Sequence, residues 1–287
     1  MTTDAAVTVR GLRKRYDVRG QKRIAVDGVD LDVARGEVFA LLGPNGAGKT
    51  TTVEILEGYR SRDAGEVSVL GHDPAQPTSA WRARVGVVLQ SVNDLSELTV
   101  GETVRHFAGY YPHPRDPDEV IATVGLTDSA GQRARTLSGG QRRRLDVALG
   151  ILGRPELLFL DEPTTGFDPA ARRIFWELVE TLAREGTTIL LTTHYLDEAE
   201  RLADRVAVIA AGRIVDVATP ATLGGRSSAE ATVTWTGPDG VRRTRRTATP
   251  TAVVAELAAE LGGEVPDLAV TRPSLEDTYL AMVGEDA

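Results

Sequence analysis

Residues 43–50 read GPNGAGKT, a spacing of glycines, lysine and threonine suited to holding a polyphosphate. Gly43, Gly46 and Gly48, separated by Pro44, Asn45 and Ala47, leave backbone amides free to turn inward around β- and γ-phosphates. Lys49 adds a positive charge. Thr50, followed by Thr51, stands at the positive end of the helix that must come next, where its hydroxyl can ligate Mg2+. A tight strand-to-helix turn with an incidental lysine has the same letters, so the flanking elements decide between the two readings. A second group closes the apolar run at 157–160, where Asp161 and Glu162 emerge at the end of a buried strand, the place at which open α/β sheets bind ligands. Neighbouring strand residues face opposite sides, so Asp161 suits magnesium coordination and Glu162 suits orienting or deprotonating an attacking water. Their bland counterpart is a solvated turn before Pro163. A third group is LSGGQ at 137–141: Ser138 is a natural helix cap, and Gly139 and Gly140 leave amides uncovered before Gln141, giving an anion-binding helix start.

The hydrophobic pattern supplies the elements that must position these groups. The continuous apolar run at 38–42 enters the glycine-rich loop, and a helical stretch at 51–56 leaves it and stops at Gly58. That strand–loop–helix context favours the phosphate reading over the incidental one. Residues 7–9 and 29–33 alternate at period two, predicting an antiparallel edge sheet, and short strands follow at 67–70 and 85–89. From 91 to about 153 the sequence turns charged and helix-periodic, broken by YPHPRDPD before a helix at Asp118, and reads as a helical insertion. Strands at 157–160, 188–191 and 206–209 alternate with helices at 170–184 and 196–203, the signature of a parallel sheet covered on both faces. Beyond Pro220 the composition shifts to Ala, Thr, Gly and Arg. A linker near 224–228, a hairpin turning at GPDG (237–240), a helix at 251–261, a strand at 268–270 and a last helix begun by Ser274, with Asp277 as a partial capping box, make a small α+β unit. The expected domains are 1–222 and 223–287.

The order GPNGAGKT, LSGGQ, LLFLDEP resembles the ABC ATPases, over about residues 5–220. The resemblance implies a P-loop NTPase of mixed α/β class with an antiparallel edge sheet and a helical subdomain, the small C-terminal α+β domain lying outside it. It implies ATP and Mg2+ as ligands. It also assigns Gln90 to the loop that touches magnesium and relays nucleotide state, His194 to the switch that contacts the γ-phosphate, Tyr16 to stacking on adenine, and Asp168 to the D-loop. Here that loop reads TGFDP, with Phe167 where the family usually has leucine. In the family two nucleotide domains face head to tail, so Ser138, Gly139, Gly140 and Gln141 are expected to complete the ATP site of a second copy or a paralogue. The region after Gln90 is the expected docking surface for a separate membrane permease. The runs GFDPAARRIFWELV and RPSLEDTYL further resemble bacterial exporters of the daunorubicin/doxorubicin-resistance type, implying efflux of a drug-like or lipid-like substrate. Competing readings are an ABC ATPase acting on ribosomes or nucleic acid and an ATP-binding module without turnover. Lys49, Asp161, Glu162 and His194 together argue against the second.

Composition excludes other classes. No cysteine among 287 residues removes disulfides, thiolate zinc sites and thiol nucleophiles. A net charge of −8 argues against broad attraction to nucleic acid. Arg142 to Arg144, and Arg242, Arg243, Arg245 and Arg246, therefore read as a solvated helix face and a wet hairpin strand, without a site. No apolar run approaches the roughly 18 residues of a membrane span, and the start MTTDAAVTVR shows no secretory pattern. A cytoplasmic location is expected, peripheral on the inner face of the membrane through the permease.

Overall fold

Five apolar residues, Val38–Leu42, form the strand from which the glycine-rich loop hangs, and all five are buried. The computed structural model describes residues 5–18, 21–88 and 97–284. It divides into two compact units, Met1–Val215 and Asp216–Ala287.

The first unit opens with β1 (Ala5–Val18) and β2 (Gln21–Ala34), then β3 (Val38–Leu42), α1 (Lys49–Leu56), β4 (Ala64–Val69), α2 (Ser79–Arg82) and β5 (Val85–Val88). There follow α3 (Val100–Ala108), α4 (Pro117–Thr123), α5 (Gly139–Ile151), β6 (Leu157–Asp161), α6 (Pro169–Arg184), β7 (Thr188–Thr193), α7 (Leu196–Leu202), β8 (Arg205–Ala210) and β9 (Arg213–Ala218), which spans the division between the units. Strands β2, β1 and β4 make an antiparallel sheet in that order. Both β1 and β2 run well past the stretches of period-two alternation. The alternation marks only the part packed on the core, whereas the far arm, where Arg15 pairs with Ile24 and Tyr16 with Arg23, is a two-stranded ribbon wet on both sides.

The main sheet has the order β5-β6-β7-β3-β8-β9, with β5, β6, β7, β3 and β8 parallel. Every residue of β3, β6 and β7 is buried, which is why β3 and most of β6 read as continuous apolar runs and β7 as an apolar centre between buried threonines. Helix α6 shows how the cover forms. Asp168 accepts bonds from the amides of Ala170 (2.9 Å) and Ala171 (2.8 Å), Pro169 follows at the first helical position, and Phe175, Leu178, Val179 and Leu182 bury one stripe. The expected helical insertion is realised by α3, α4 and α5. Thr99 and Glu102 cap α3 reciprocally, and Asp116, with Pro117 behind it, caps α4.

In the second unit β10 (Ala231–Thr236) is flanked by β11 (Arg242–Thr247) and β12 (Ala269–Thr271), both antiparallel to it. Helix α8 (Pro250–Glu260) packs on one face, where Val233, Trp235, Val253, Leu257 and Val265 form the core. The expected linker is instead a short 3-10 turn, Leu223–Ser228, with Gly224 and Gly225 at positive φ and the Arg226 Nε donating to the Pro273 carbonyl (2.9 Å). Helix α9 (Leu275–Val283) begins with both arms of the capping box formed. Asp277 Oδ2 accepts from Ser274 N (2.8 Å), and Ser274 Oγ accepts from Asp277 N (3.0 Å), so aspartate serves as well as glutamate here.

Candidate functional site

The loop 43–50 takes its shape from close approach. A Cβ on Gly43 would collide with the Ile209 carbonyl, and one on Gly48, whose φ is +109°, with the Ala25 carbonyl. Helix α1 begins at Lys49, inside the loop motif, so the lysine side chain folds back into the loop. The side chain is 4% exposed, and its ammonium donates to the carbonyls of Gly43 (2.7 Å) and Pro44 (3.3 Å), while Glu162 Oε1 lies 3.5 Å away. A buried cation held by two carbonyls and one movable carboxylate is poised to accept a phosphate in the carboxylate's place.

The carboxyl pair is held by β7. Thr192 Oγ1 donates to Asp161 Oδ1 (2.5 Å) and accepts from Glu162 N (3.0 Å), and the Thr192 carbonyl accepts from the same amide (3.1 Å). One threonine thus fixes both residues, and Glu162 is turned out of the strand at φ +43°, a conformation that side chains rarely adopt. Its carboxylate is 3.4 Å from His194 Nδ1 at the end of β7. Burial pushes the Asp161 carboxyl up, with the neighbouring Glu162 charge adding to it, against the Thr192 hydrogen bond and the charges of Arg143 and Lys49. Arg143 corrects the reading of 142–144 as a solvated face. It is buried and donates to the carbonyls of Asp161 (2.7 Å) and Pro163 (3.1 Å), while Arg142 and Arg144 donate to the carbonyls of Ala134 and Gly125. Composition and spacing could not reveal this, because the carbonyls lie on a segment distant in sequence.

A cleft of about 260 Å³ joins Tyr16, Asn45, Gly46, Gly48, Lys49, Thr50, Thr51 and Glu162. Tyr16 Oη lies 3.3 Å from Thr51 Oγ1, and the Arg60 guanidinium sits over the Tyr16 ring at 5.2 Å. The Thr50 hydroxyl in the cleft and the Asp161 carboxylate at the end of β6 offer oxygen donors. Among the described residues no cluster of three His, Asp or Glu side chains forms a metal cage. This donor set fits Mg2+ that takes its remaining ligands from nucleotide phosphates and water. Gln90 lies outside the described residues.

Ser138, Gly139, Gly140, Gln141 and Asp168 do not line this cleft. They cap two neighbouring helices. Ser138 Oγ accepts from Gln141 N (3.2 Å), Gln141 Oε1 accepts from Ser138 N (2.9 Å), and a Cβ on Gly140 would lie 3.3 Å from the Ala171 Cβ on α6. Ser138, Gly139 and Asp168 are exposed. Phe167, the departure within the D-loop, packs edge-on against Phe175 of α6 at 5.9 Å.

Compared with known proteins, residues 26–165 match the family model for ABC transporters. The chain is 40% identical to the daunorubicin resistance ATP-binding protein DrrA3 of Streptomyces coeruleorubidus, over 99% of this chain and 97% of that protein. The chain belongs to the ABC transporter ATP-binding proteins. Another relative in the family is the Nod factor export ATP-binding protein I of Ralstonia nicotianae, 44% identical over 76% of this chain and 68% of that one. Among solved structures, the fold is similar to cbiO1 of Clostridium perfringens, part of the ABC transporter complex cbiONQ. The two are 27% identical with a TM-score of 0.68, over 78% of this chain and 92% of that one. An ATP-binding cassette solved as a dimer with ADP and phosphate shares the fold at a TM-score of 0.68 and 23% identity, over 74% of this chain and 98% of that one. This ABC ATPase therefore has the mixed α/β fold of its family.

Helix α5, which follows the signature, carries a titration of its own. Burial pushes the Asp146 carboxyl up to about 6, against the opposing pull of Arg143 and Arg142. Between its ordinary value of 3.8 and about 6 the unfolded chain releases a proton that the folded protein keeps, so ionisation there works against folding. Stability from this group falls as pH rises through that window and is level above it. Asp146→Asn is expected to raise stability at pH 7.5 by about 1–2 kcal/mol and to flatten the slope between pH 4 and 6. Urea denaturation at pH 4, 5, 6 and 7.5 measures it, and parallel curves for both proteins would contradict it.

Proposed function

We propose that this chain is the ATP-hydrolysing subunit of an ABC exporter that drives efflux of a drug-like or lipid-like substrate through a separately encoded permease. The observation that carries the reading is similarity to the daunorubicin resistance protein over 99% of the chain, the C-terminal unit included. The Nod factor relative covers only 76%. Among the described residues no helix is long and apolar enough to cross a membrane, and the passage is assigned to the permease.

The chemistry follows from the cleft. Amides of Gly46 and Gly48 and the Lys49 ammonium hold the phosphates, Tyr16 receives the base, and Thr50, Asp161 and Gln90 are the residues that would hold Mg2+. When bound, Mg2+ neutralises charge on the β- and γ-phosphates. Glu162 orients the attacking water and takes its proton, and His194 senses the γ-phosphate from the far side of the same carboxylate. The signature residues Ser138, Gly139, Gly140 and Gln141, which cap a helix away from the cleft, are presented to a second copy or a paralogue, with Asp168 beside them. ATP then closes the pair, hydrolysis reopens it, and the permease follows because each conformation binds the closed and open pairs differently. The complex sits on the cytoplasmic face of the membrane.

The test is a pull-down of tagged Glu162→Gln protein with ATP and magnesium from gently solubilised membranes. A polytopic membrane protein of about six spans is the expected companion, from the resemblance and the span length. Recovery with ribosomes or nucleic acid alone would keep the ATPase and overturn the transport reading.

A further inference from the structure

The structure assigns Arg23 to the nucleotide site as a second cation for the phosphate chain, an inference that rests on the nucleotide-binding reading above. Strand β2 is tied to the loop through one glycine: Asp27 N donates to the Gly212 carbonyl (2.8 Å), and Gly212 N donates to the Ala47 carbonyl (2.9 Å). The Ala25 carbonyl sits so close to Gly48 and Gly212 that a Cβ on either would strike it. Ala25, the extra residue where the β1–β2 register shifts, is thus fixed against the loop, and Arg23 stands two residues earlier on the same strand. Its Nη2 lies 3.4 Å from the place a Cβ on Gly46 would occupy, and its side chain lines the cleft with Lys49 and Thr50.

Arg23 differs from the other arginines nearby. Arg13 and Arg213 are both paired with Asp27, and Arg60 with Glu54. Among the described residues no carboxylate pairs with Arg23, and the side chain is exposed. An unpaired guanidinium facing a ring of backbone amides adds to a concentration of positive potential that suits an anion, and its planar fork can give two parallel N–H bonds to phosphate oxygens. Lys49 approaches the phosphates from inside the loop and Arg23 from the wet side, across Gly46. The ligand class is a nucleoside polyphosphate, selected over a monophosphate by its charge.

The experiment is isothermal titration of the full-length protein with ATP and with AMP, magnesium present, for wild type, Arg23→Gln, Arg23→Lys and Lys49→Ala. Arg23→Gln is expected to weaken ATP binding about tenfold and AMP binding less than about twofold, with Arg23→Lys recovering most of the loss. The unfolding midpoint without nucleotide stays that of wild type, because the side chain is exposed and unpaired. ATP affinity within twofold of wild type in Arg23→Gln, or an equal loss for AMP, overturns the assignment while leaving the nucleotide site intact. Wild-type protein that fails to bind ATP, or binds it no better than Lys49→Ala, overturns the nucleotide reading and the role of Arg23 with it.

Discussion

Glu162→Gln is expected to lower ATP turnover by about 10²–10³-fold while leaving ATP affinity near that of wild type, the range that loss of a positioned general base produces. Glutamine keeps the volume and can keep the hydrogen bond, but it has no charge to orient water or to accept a proton. The backbone conformation should survive, since it is held by the Thr192 hydroxyl and carbonyl acting on the Glu162 amide rather than on its side chain. Removing the carboxylate also removes the competitor that stands 3.5 Å from the Lys49 ammonium, so binding does not suffer. With hydrolysis blocked, the ATP-closed pair should accumulate. Phosphate release measures the first effect, and size-exclusion chromatography with light scattering, with and without ATP, measures the second. Turnover above half that of wild type would remove Glu162 from its role. A variant that stays monomeric with saturating ATP and magnesium would count against the head-to-tail pair.

Lys49→Ala is expected to weaken ATP binding about 100-fold, equivalent to about 3 kcal/mol, with turnover lost accordingly. The lysine is almost fully enclosed, so its attraction for a phosphate is little screened by water. The substitution also leaves the Gly43 and Pro44 carbonyls without their donor and Glu162 without its nearest cation. Lys49→Arg should not restore binding. The guanidinium is larger and flat, whereas the Gly43 and Pro44 carbonyls hold the compact ammonium at a single point. Titration calorimetry on both variants, alongside thermal unfolding without nucleotide, separates lost binding from lost folding. ATP affinity in Lys49→Ala within threefold of wild type would discard the phosphate-loop assignment.

Much of the fold and of the site was legible in the sequence because the responsible interactions are local. The glycines of 43–50 have their spacing because backbone passes within collision distance of where their side chains would be, and that demand shows as glycine at fixed positions. Capping boxes join residues three apart, so Ser274 with Asp277 could be read directly, and Ser138 could be read as a cap, the structure adding Gln141 as the other arm of its box. Strands buried on both faces show as apolar runs, which placed β3, β6 and β7 to within a residue or two. The wet arm of β1 and β2 was missed for the same reason: with no core beside it, it carries no apolar period.

The tertiary structure decided which distant groups meet. Strand β7 lies between β6 and β3, and this order places Thr192 against Asp161 and Glu162 and His194 beside the same carboxylate. The burial of Arg143 under the Asp161 and Pro163 carbonyls, and the approach of Arg23 to Gly46, likewise depend on how separate segments pack. An arginine looks the same in a sequence whether it faces water, a carbonyl or a phosphate. Only the packing fixes its surroundings, because a charge is governed by groups within a few ångströms in space, whatever their separation along the chain.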